Sequence, residues 1–523
     1  MKSTQTYILI FFFVAGFLQP GFLFSQEKKP RKIEIIHANS LEFNEKINPD
    51  VRRFIGDVIF QHNDFNMYCD SAYFYSKSNR IDAFDNVHIE RGDTLHLYGD
   101  YLSYNGNTSF GKVRNNVKLE DKEASLFTDS LNFDSNINYA HYFEGGKIVN
   151  EDKTITSVQG DYYSNRKMAY FKDSVVVKSP EYTVYSDTLN YNTEKETAYF
   201  VGPTDIESDS SSLYCEQGWY KTRKKEFLFT KNAVYRKKDR ILKGDTLYYD
   251  DPSGFGQIKQ NAEIIDTSRK IILRGHYSEY TENPQTAFLT DSTLMIHIDS
   301  DNDSLFLHAD TLRTLYDSTE TYRIFKAYYK VKFYKSSLQG TCDSLTYSLE
   351  DSIIRMFRDP VLWADSNQIS ADTIRIFTKN NEISKFRLID AAFIVNQEDT
   401  GKYNQIKGAE MTGYVKNNEL QRVFVDGNGE TIYFTKDGEE IVGMNKAVSS
   451  SLMIYLKENQ VARINMIKDP NGTLFPLKDA KEKELSGFRW LEWLRPVSRE
   501  DIYIWRKKEP SEDHTVIPSD ETN

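Results

Sequence analysis

Carboxylates in series can bind cations, or supply the acid and base of a sugar hydrolase, and this chain carries such a series at a nearly constant interval. The interval is about 30 residues. The recurring position falls at Asn39, Asp70, Asp100, Asp129, Asp161, Asp187, Glu216, Asp245, His276, Asp310, Asp343, Asp372 and, less cleanly, Ala409. Asn39, Glu216, His276 and Ala409 stand in for aspartate without change to their neighbours. Glycoside hydrolysis needs one pair of carboxylates in unlike environments, and a residue repeated at the period of the fold is not such a pair. The series therefore reads as a structural corner, comprising Asp70, Gly99, Asp100, Asp129, Asp161, Asp187, Gly244, Asp245, Asp310, Asp343 and Asp372. The nine histidines are scattered, and HExxH, CxxC, GxSxG and glycine–aspartate calcium repeats are missing from the sequence. No catalytic residue, metal or cofactor is expected, and the chain does not read as an enzyme.

The elements that must hold these residues follow from the flanking pattern. Before the recurring position, apolar residues lie three and often five back, as in Leu97 and Leu95 or Val184 and Tyr182. After it they lie two and four on: Leu102 and Tyr104, Leu131 and Phe133, Leu189 and Tyr191, Leu247 and Tyr249, Leu345 and Tyr347, Ile374 and Ile376, with Phe74 in the equivalent place of an earlier copy. The two sets have opposite parity, so one flat strand would send them to opposite faces, and the strand must bend or bulge between them. The residue just before the carboxylate is small in every copy, among them Cys69, Gly99, Cys215, Gly244 and Cys342. That suits the crowded inside of a bend. The carboxylate beside it is expected to meet backbone NH groups or solvent.

Short polar turns such as Asn105-Gly106-Asn107-Thr108 link each bent strand to a second one, for example Asn86-Val87-His88-Ile89. Such links allow antiparallel hairpins and leave no room for a helical crossover. The expectation is an all-β chain, an elongated and solenoid-like stack of about 13 repeats with two strands each, or roughly 26 strands in all.

Composition agrees. The 523 residues carry a net charge of −11 and include 34 Tyr and 33 Phe. Without a basic patch interleaved with aromatics, nucleic acid is a poor partner. Cys69, Cys215 and Cys342 all occupy the small corner position in distant repeats and read as buried thiols. Residues 1–25, with Lys2, the apolar run Tyr7 to Leu18 and a Ser25-Gln26 junction, read as a secretory signal. Leu23 is not the small residue a cleavage site favours. The array is expected over 33–430, degenerate strands and a cap over 431–508, and a disordered polar tail over 509–523. In the cap, Leu485, Phe488, Leu491 and Leu494 recur at helical spacing beside Trp490 and Trp493.

The inward residues of successive repeats form one apolar stripe: Phe74, Leu97, Leu102, Tyr104, Leu131, Phe133, Val184, Leu189, Tyr191, Leu247, Tyr249, Leu345, Tyr347, Ile374 and Ile376. As a filled sandwich the stripe is only a core; with its walls splayed it is a trough for hydrocarbon chains. The small-Asp-x-apolar-x-aromatic signature, Gly99-Asp100-Tyr101-Leu102-Ser103-Tyr104 and Gly244-Asp245-Thr246-Leu247-Tyr248-Tyr249, resembles that of the OstA/LptA-like family. So do Phe54-Ile55-Gly56-Asp57-Val58-Ile59-Phe60 and Asn86-Val87-His88-Ile89, and the resemblance spans about residues 33 to 425. It implies an open β-jelly roll in the periplasm that shields the lipid A acyl chains of lipopolysaccharide. It further implies contacts through edge strands with other lipopolysaccharide-transport components, head-to-tail self-association, and delivery toward the outer membrane. Two other readings stay open on the residues alone: a structural or adhesive envelope protein with a dry core, and a polysaccharide-active β-solenoid enzyme.

Overall fold

The computed structural model describes residues 32–506, apart from 45, 47, 93–94, 122–123, 151, 299–302, 317–322, 380–381, 417–418, 439, 458–459 and 481–483. The expected secretory segment at 1–25 and the tail at 509–523 lie outside the described residues. Strands dominate, and they pair antiparallel. The chain divides into two compact units, residues 1–122 with 129–137, and residues 123–128 with 138–523.

In the first unit, Val51–His62, Phe65–Tyr75, Arg80–Arg91, Leu95–Asn105 and Phe110–Glu120 run as a meander. Glu34–His37 and Ser40–Phe43 share the other side of Val51–His62. In the second, Lys153–Ser157 and Gln159–Tyr163 lie end to end along Met168–Lys178, with Thr183–Asn192 on its far side. Hairpin follows hairpin from there to Glu440–Lys457, on which Gln460–Ile467 and Asn471–Pro476 pair.

Nearly every long strand shifts register in its middle. In Leu95–Asn105, Leu97 and Gly99 are buried before the shift and Leu102 and Tyr104 after it, so both parities face one interior. Across from Asp100, two residues of the neighbouring strand, Asp85 and Asn86, adopt left-handed φ of 60° and 49°, and so oppose one residue with two. The same left-handed pair recurs at Asn115-Asn116, Lys231-Asn232, Gln260-Asn261 and Asp390-Ala391. The described residues form thirty-four strands, more than the roughly 26 expected from two per repeat, because at several corners the ladder breaks and one bent strand counts as two, and because strands continue past residue 430.

At Gly99 and Gly244 the smallness of the corner residue has a specific cause. A Cβ on Gly99 would lie 2.4 Å from Val113 Cγ1, and one on Gly244 would lie 2.2 Å from Ile258 Cγ2. In each case the facing residue is β-branched, and its extra methyl fills the space a side chain would need.

Strands continue through 431–476, among them the long pair Glu419–Asp437 and Glu440–Lys457. One expectation about the end of the chain is corrected. The segment with apolar residues at helical spacing is not a helix. Its described residues are irregular chain with single 3₁₀ turns at Leu477–Asp479, Glu492–Leu494 and Asp501–Tyr503. Nor does it cover only the last strand. It runs back over the outer face of earlier strands, meeting Gln405 with Leu485, Gln368 with Arg489 and Leu491, Gln339 with Arg495, and Lys332 with Ile504. The Leu485 and Leu491 amides bond to sheet side chains, and the local bonds, such as Leu494 to Leu491 and Arg495 to Glu492, close single i→i+3 turns rather than the i→i+4 ladder of an α-helix.

Candidate lipid-binding interior

The apolar stripe is held by the corner on one side and by the strand ends on the other. At the corner, several of the recurring carboxylates find a side-chain partner, while others face solvent as expected. The Nδ2 of Asn116 donates to Asp100 at 2.7 Å, that of Asn86 to Asp70 at 2.7 Å, and that of Asn261 to Asp245 at 2.9 Å. The partner belongs to the left-handed pair on the next strand, where a positive φ carries the asparagine side chain outward beside the carboxylate. Lys330 takes the amide's place toward Asp310 at 2.9 Å, and Arg358 toward Asp343 at 3.2 Å. Asp161 instead accepts from Tyr139 OH at 2.6 Å and lies 2.9 Å from His141 Nδ1. At Asp372 the backbone NH donates to the Asp390 carbonyl at 3.0 Å. Asp129 is exposed, and Asp187 lies against the corner glycine Gly202.

In the first unit, Leu97, Leu102, Tyr104 and Leu131 are buried, while Phe74 and Phe133 are half-buried. Tyr104 stacks on Phe133 with ring centroids 5.9 Å apart, and its hydroxyl is 2.8 Å from His62 Nδ1. In the second unit, Val184, Leu189, Leu247, Tyr249, Leu345, Ile374 and Ile376 belong to one core that begins at Ala169 and ends at Ile454, with Tyr191 packed on it. Tyr347 is half-buried. The stripe residues thus divide between two interiors.

Away from the corner the two ends of the bent strands meet. Lys237 Nζ, at one end of its strand, is 2.9 Å from Glu282 Oε1 at the opposite end of another. Arg240 donates to Tyr280 OH at 2.6 Å across the same gap. Burial, the largest influence, raises the Glu282 carboxyl, but the Lys237 hydrogen bond, the Tyr249 hydroxyl and the charges of Lys237 and Arg240 together hold it below the ordinary range. Beneath these contacts lies an aromatic layer in which Tyr235 and Tyr249 stand 5.1 Å apart and Phe227 and Phe229 stack at 4.5 Å. Burial raises the hydroxyls of Tyr235 and Tyr249, and pushes that of Tyr220 up to about 12.

The interior is filled by its own side chains: Leu102, Leu247, Tyr249 and Ile374 are at most 2 % exposed or less. The best-formed hollows among the described residues are superficial. One lies beside Ser208, Arg236 and Lys238, the other beside the corner residues Arg358 and Asp359. Among the described residues, no helix is long and apolar enough to cross a membrane.

Sequence reasoning missed both the asparagine ladder and the outer glutamines. A local trace of the first is that Asn86, Asn116 and Asn232 each precede a buried Val or Ala, but that pattern does not name the carboxylate each asparagine meets.

The family model described as OstA-like protein matches residues 30–187 and 181–245. A second, described as LptA/(LptD N-terminal domain) LPS transport protein, matches residues 297–382. No curated protein matches the sequence. Among solved structures, the chain is similar to LptH of Pseudomonas aeruginosa, described as the LptA homologous periplasmic component of the lipopolysaccharide transport device. The identity is 11 %, over 19 % of this chain and 76 % of that one, with a TM-score of 0.18. The two family models together account for more than half of the sequence, and the chain belongs to the OstA-like, LptA-related family of lipopolysaccharide-transport proteins.

Proposed function

We propose that the protein is a noncatalytic periplasmic carrier that shields lipopolysaccharide acyl chains between the walls of its sandwich and bridges their passage toward the outer membrane. The observation that carries this reading is the continuity of the apolar core in the second unit, built from equivalent positions on successive strands. Equivalent positions bind a hydrocarbon chain alike, so no single deep well traps it. Affinity comes from burial, at about 0.8 kcal/mol for each CH₂ removed from water.

Since the interior is packed, acyl chains enter by parting the walls. The corner is the hinge, closed by backbone pairing and by Asn–Asp bonds. The strand ends are the mouth, closed by polar contacts such as Lys237–Glu282 and Arg240–Tyr280. Edge strands supply the partner contacts. Ile36, Leu41 and Phe43 on the short strands before Val51, and Leu474 on the strand Asn471–Pro476, are exposed. Such edges take an added strand from another transport component or from a second copy of the chain.

The filled interior favours one other reading, a structural envelope protein with a dry core. Photocrosslinking amino acids placed at Tyr104, Leu189 and Leu247 in living cells separate the two. Capture of lipopolysaccharide from these positions is expected; its absence, with the variants folded and exported, sinks the carrier and leaves the structural protein.

A further inference from the structure

Three ligand-type side chains that the interior does not use converge on the outer face of the first unit. His88 and Glu90 lie two apart on Arg80–Arg91 and so share a face, and Glu90 is paired directly with His96 on Leu95–Asn105. The alternate residues Val87, Ile89 and Leu97 point into the core. One donor atom from each of His88, Glu90 and His96 lies within 4.8 Å of the other two. His88 Nε2 is 3.2 Å from His96 Nδ1. Two imidazole nitrogens on one tetrahedral zinc ion, each bound at about 2.0–2.1 Å, stand roughly 3.3 Å apart. The pair is already at ligand spacing.

The surroundings hold the donors in place. Tyr68 OH and Asn66 Nδ2 donate to Glu90 Oε1 at 2.6 and 3.1 Å, as outer-shell groups do for a ligating carboxylate. The His88 ring is stacked between Tyr68 and Tyr98, with centroids at 5.5 and 4.5 Å. On the next strand Glu120 is in register with His96, which brings a second carboxylate to the same row. A hydrogen bond between two imidazoles explains the 3.2 Å separation by itself. It does not explain a carboxylate fixed within reach of both rings by two donors.

We propose that His88, Glu90 and His96 form a binding site for a divalent transition metal of the zinc class, which ties two neighbouring strands together on the outer face. Two imidazoles and one carboxylate suit Zn²⁺, Ni²⁺ or Cu²⁺ and not Ca²⁺ or Mg²⁺. The site is separate from the interior and does not depend on the carrier reading.

The test is calorimetric titration of the whole chain, stripped of metal by a chelator, with ZnCl₂ and in parallel with CaCl₂. One saturable Zn²⁺ per chain is expected, without Ca²⁺ binding. His88→Gln and His96→Gln should each abolish it, Tyr68→Phe should weaken it about 10-fold, and His276→Gln should leave it unchanged. Co²⁺ in place of Zn²⁺ should give the visible absorption of a tetrahedral site. Absence of stoichiometric Zn²⁺ binding by the unsubstituted chain overturns the proposal, and that result needs no variant to fold. So does Zn²⁺ binding that survives both histidine substitutions in variants with the parental circular dichroism.

Discussion

Replacing Gly244 by alanine tests whether the corner is governed by what faces it. A β-branched residue stands opposite a corner glycine at Val113, Ile258 and Val425, facing Gly99, Gly244 and Gly408. Where the corner residue has a side chain, the residue at the equivalent register position is unbranched at Cβ: Ala83 for Cys69, Phe229 for Cys215, Met356 for Cys342 and Ala327 for Ala309. Gly244 is not among the residues with positive φ, so alanine suits its backbone and should gain about 0.4–1 kcal/mol by restricting the unfolded chain. Against this, the new methyl would start 2.2 Å from Ile258 Cγ2, and overpacking of this kind costs about 1–3 kcal/mol. The net expectation is destabilisation by up to about 2.5 kcal/mol.

In an Ile258→Met background, itself a substitution costing under about 1.5 kcal/mol, the clash is gone and the same Gly244→Ala change should be neutral or stabilising. The coupling between the two sites is then about 1–3 kcal/mol. Because a repeat array does not unfold in one step, the readout should be local. Hydrogen exchange of peptides covering Arg240–Asp266, followed by mass spectrometry, reports the opening free energy of these two strands. Equal cost of Gly244→Ala in both backgrounds would refute the steric account of the corner.

Other consequences follow from buried polar groups. Gln368 is 1 % exposed and both accepts from the Leu491 amide and donates to the Arg489 carbonyl. Gln368→Ala should cost about 1–3 kcal/mol locally and speed proteolysis within 484–506; unchanged cleavage would mean that the outer segment is held elsewhere. Lys332 is lowered to about 8, first by burial and then by the Arg506 charge, with Asp501 opposing. Between that value and the ordinary 10.5 the folded state binds fewer protons than the unfolded one. Local stability should therefore rise as pH climbs from 8 toward 9.5, and Lys332→Met should flatten the rise. A fall in protection at Asp501–Tyr503 over that range would contradict the assignment. Burial pushes the thiols of Cys69 and Cys215 up to about 12 and that of Cys342 higher still. None should react with a thiol reagent at pH 8 until urea is added, and fast native labelling would show the corners to be open.

Much of the fold was legible because it repeats. The opposite parity of Leu97 and Leu102, the small residue before each carboxylate, and the polar turns are local features, and repetition separates them from chance. Asp100 was readable as a corner residue on the same ground, yet its partner was not. Asn116 lies on the following strand, and nothing in its own spacing says that a left-handed pair will turn its amide outward. The helical spacing of Leu485, Phe488, Leu491 and Leu494 misled, because the same interval also suits a chain of single turns laid on a sheet, closed by Phe488 to Leu485 and Leu494 to Leu491 and anchored through the Leu485 and Leu491 amides.

The sequence by itself determined the strand repeat, the bend in each strand and the family, since each rests on residue types within one repeat. Only the tertiary structure decided that the stripe is packed shut, that the last segment returns across the outer face to Gln368 and Lys332, and that His88, Glu90 and His96 meet. Leu491 and Gln368 are separated by 123 residues along the chain. A contact of that kind depends on how many strands have stacked between its partners, and no local pattern records that number.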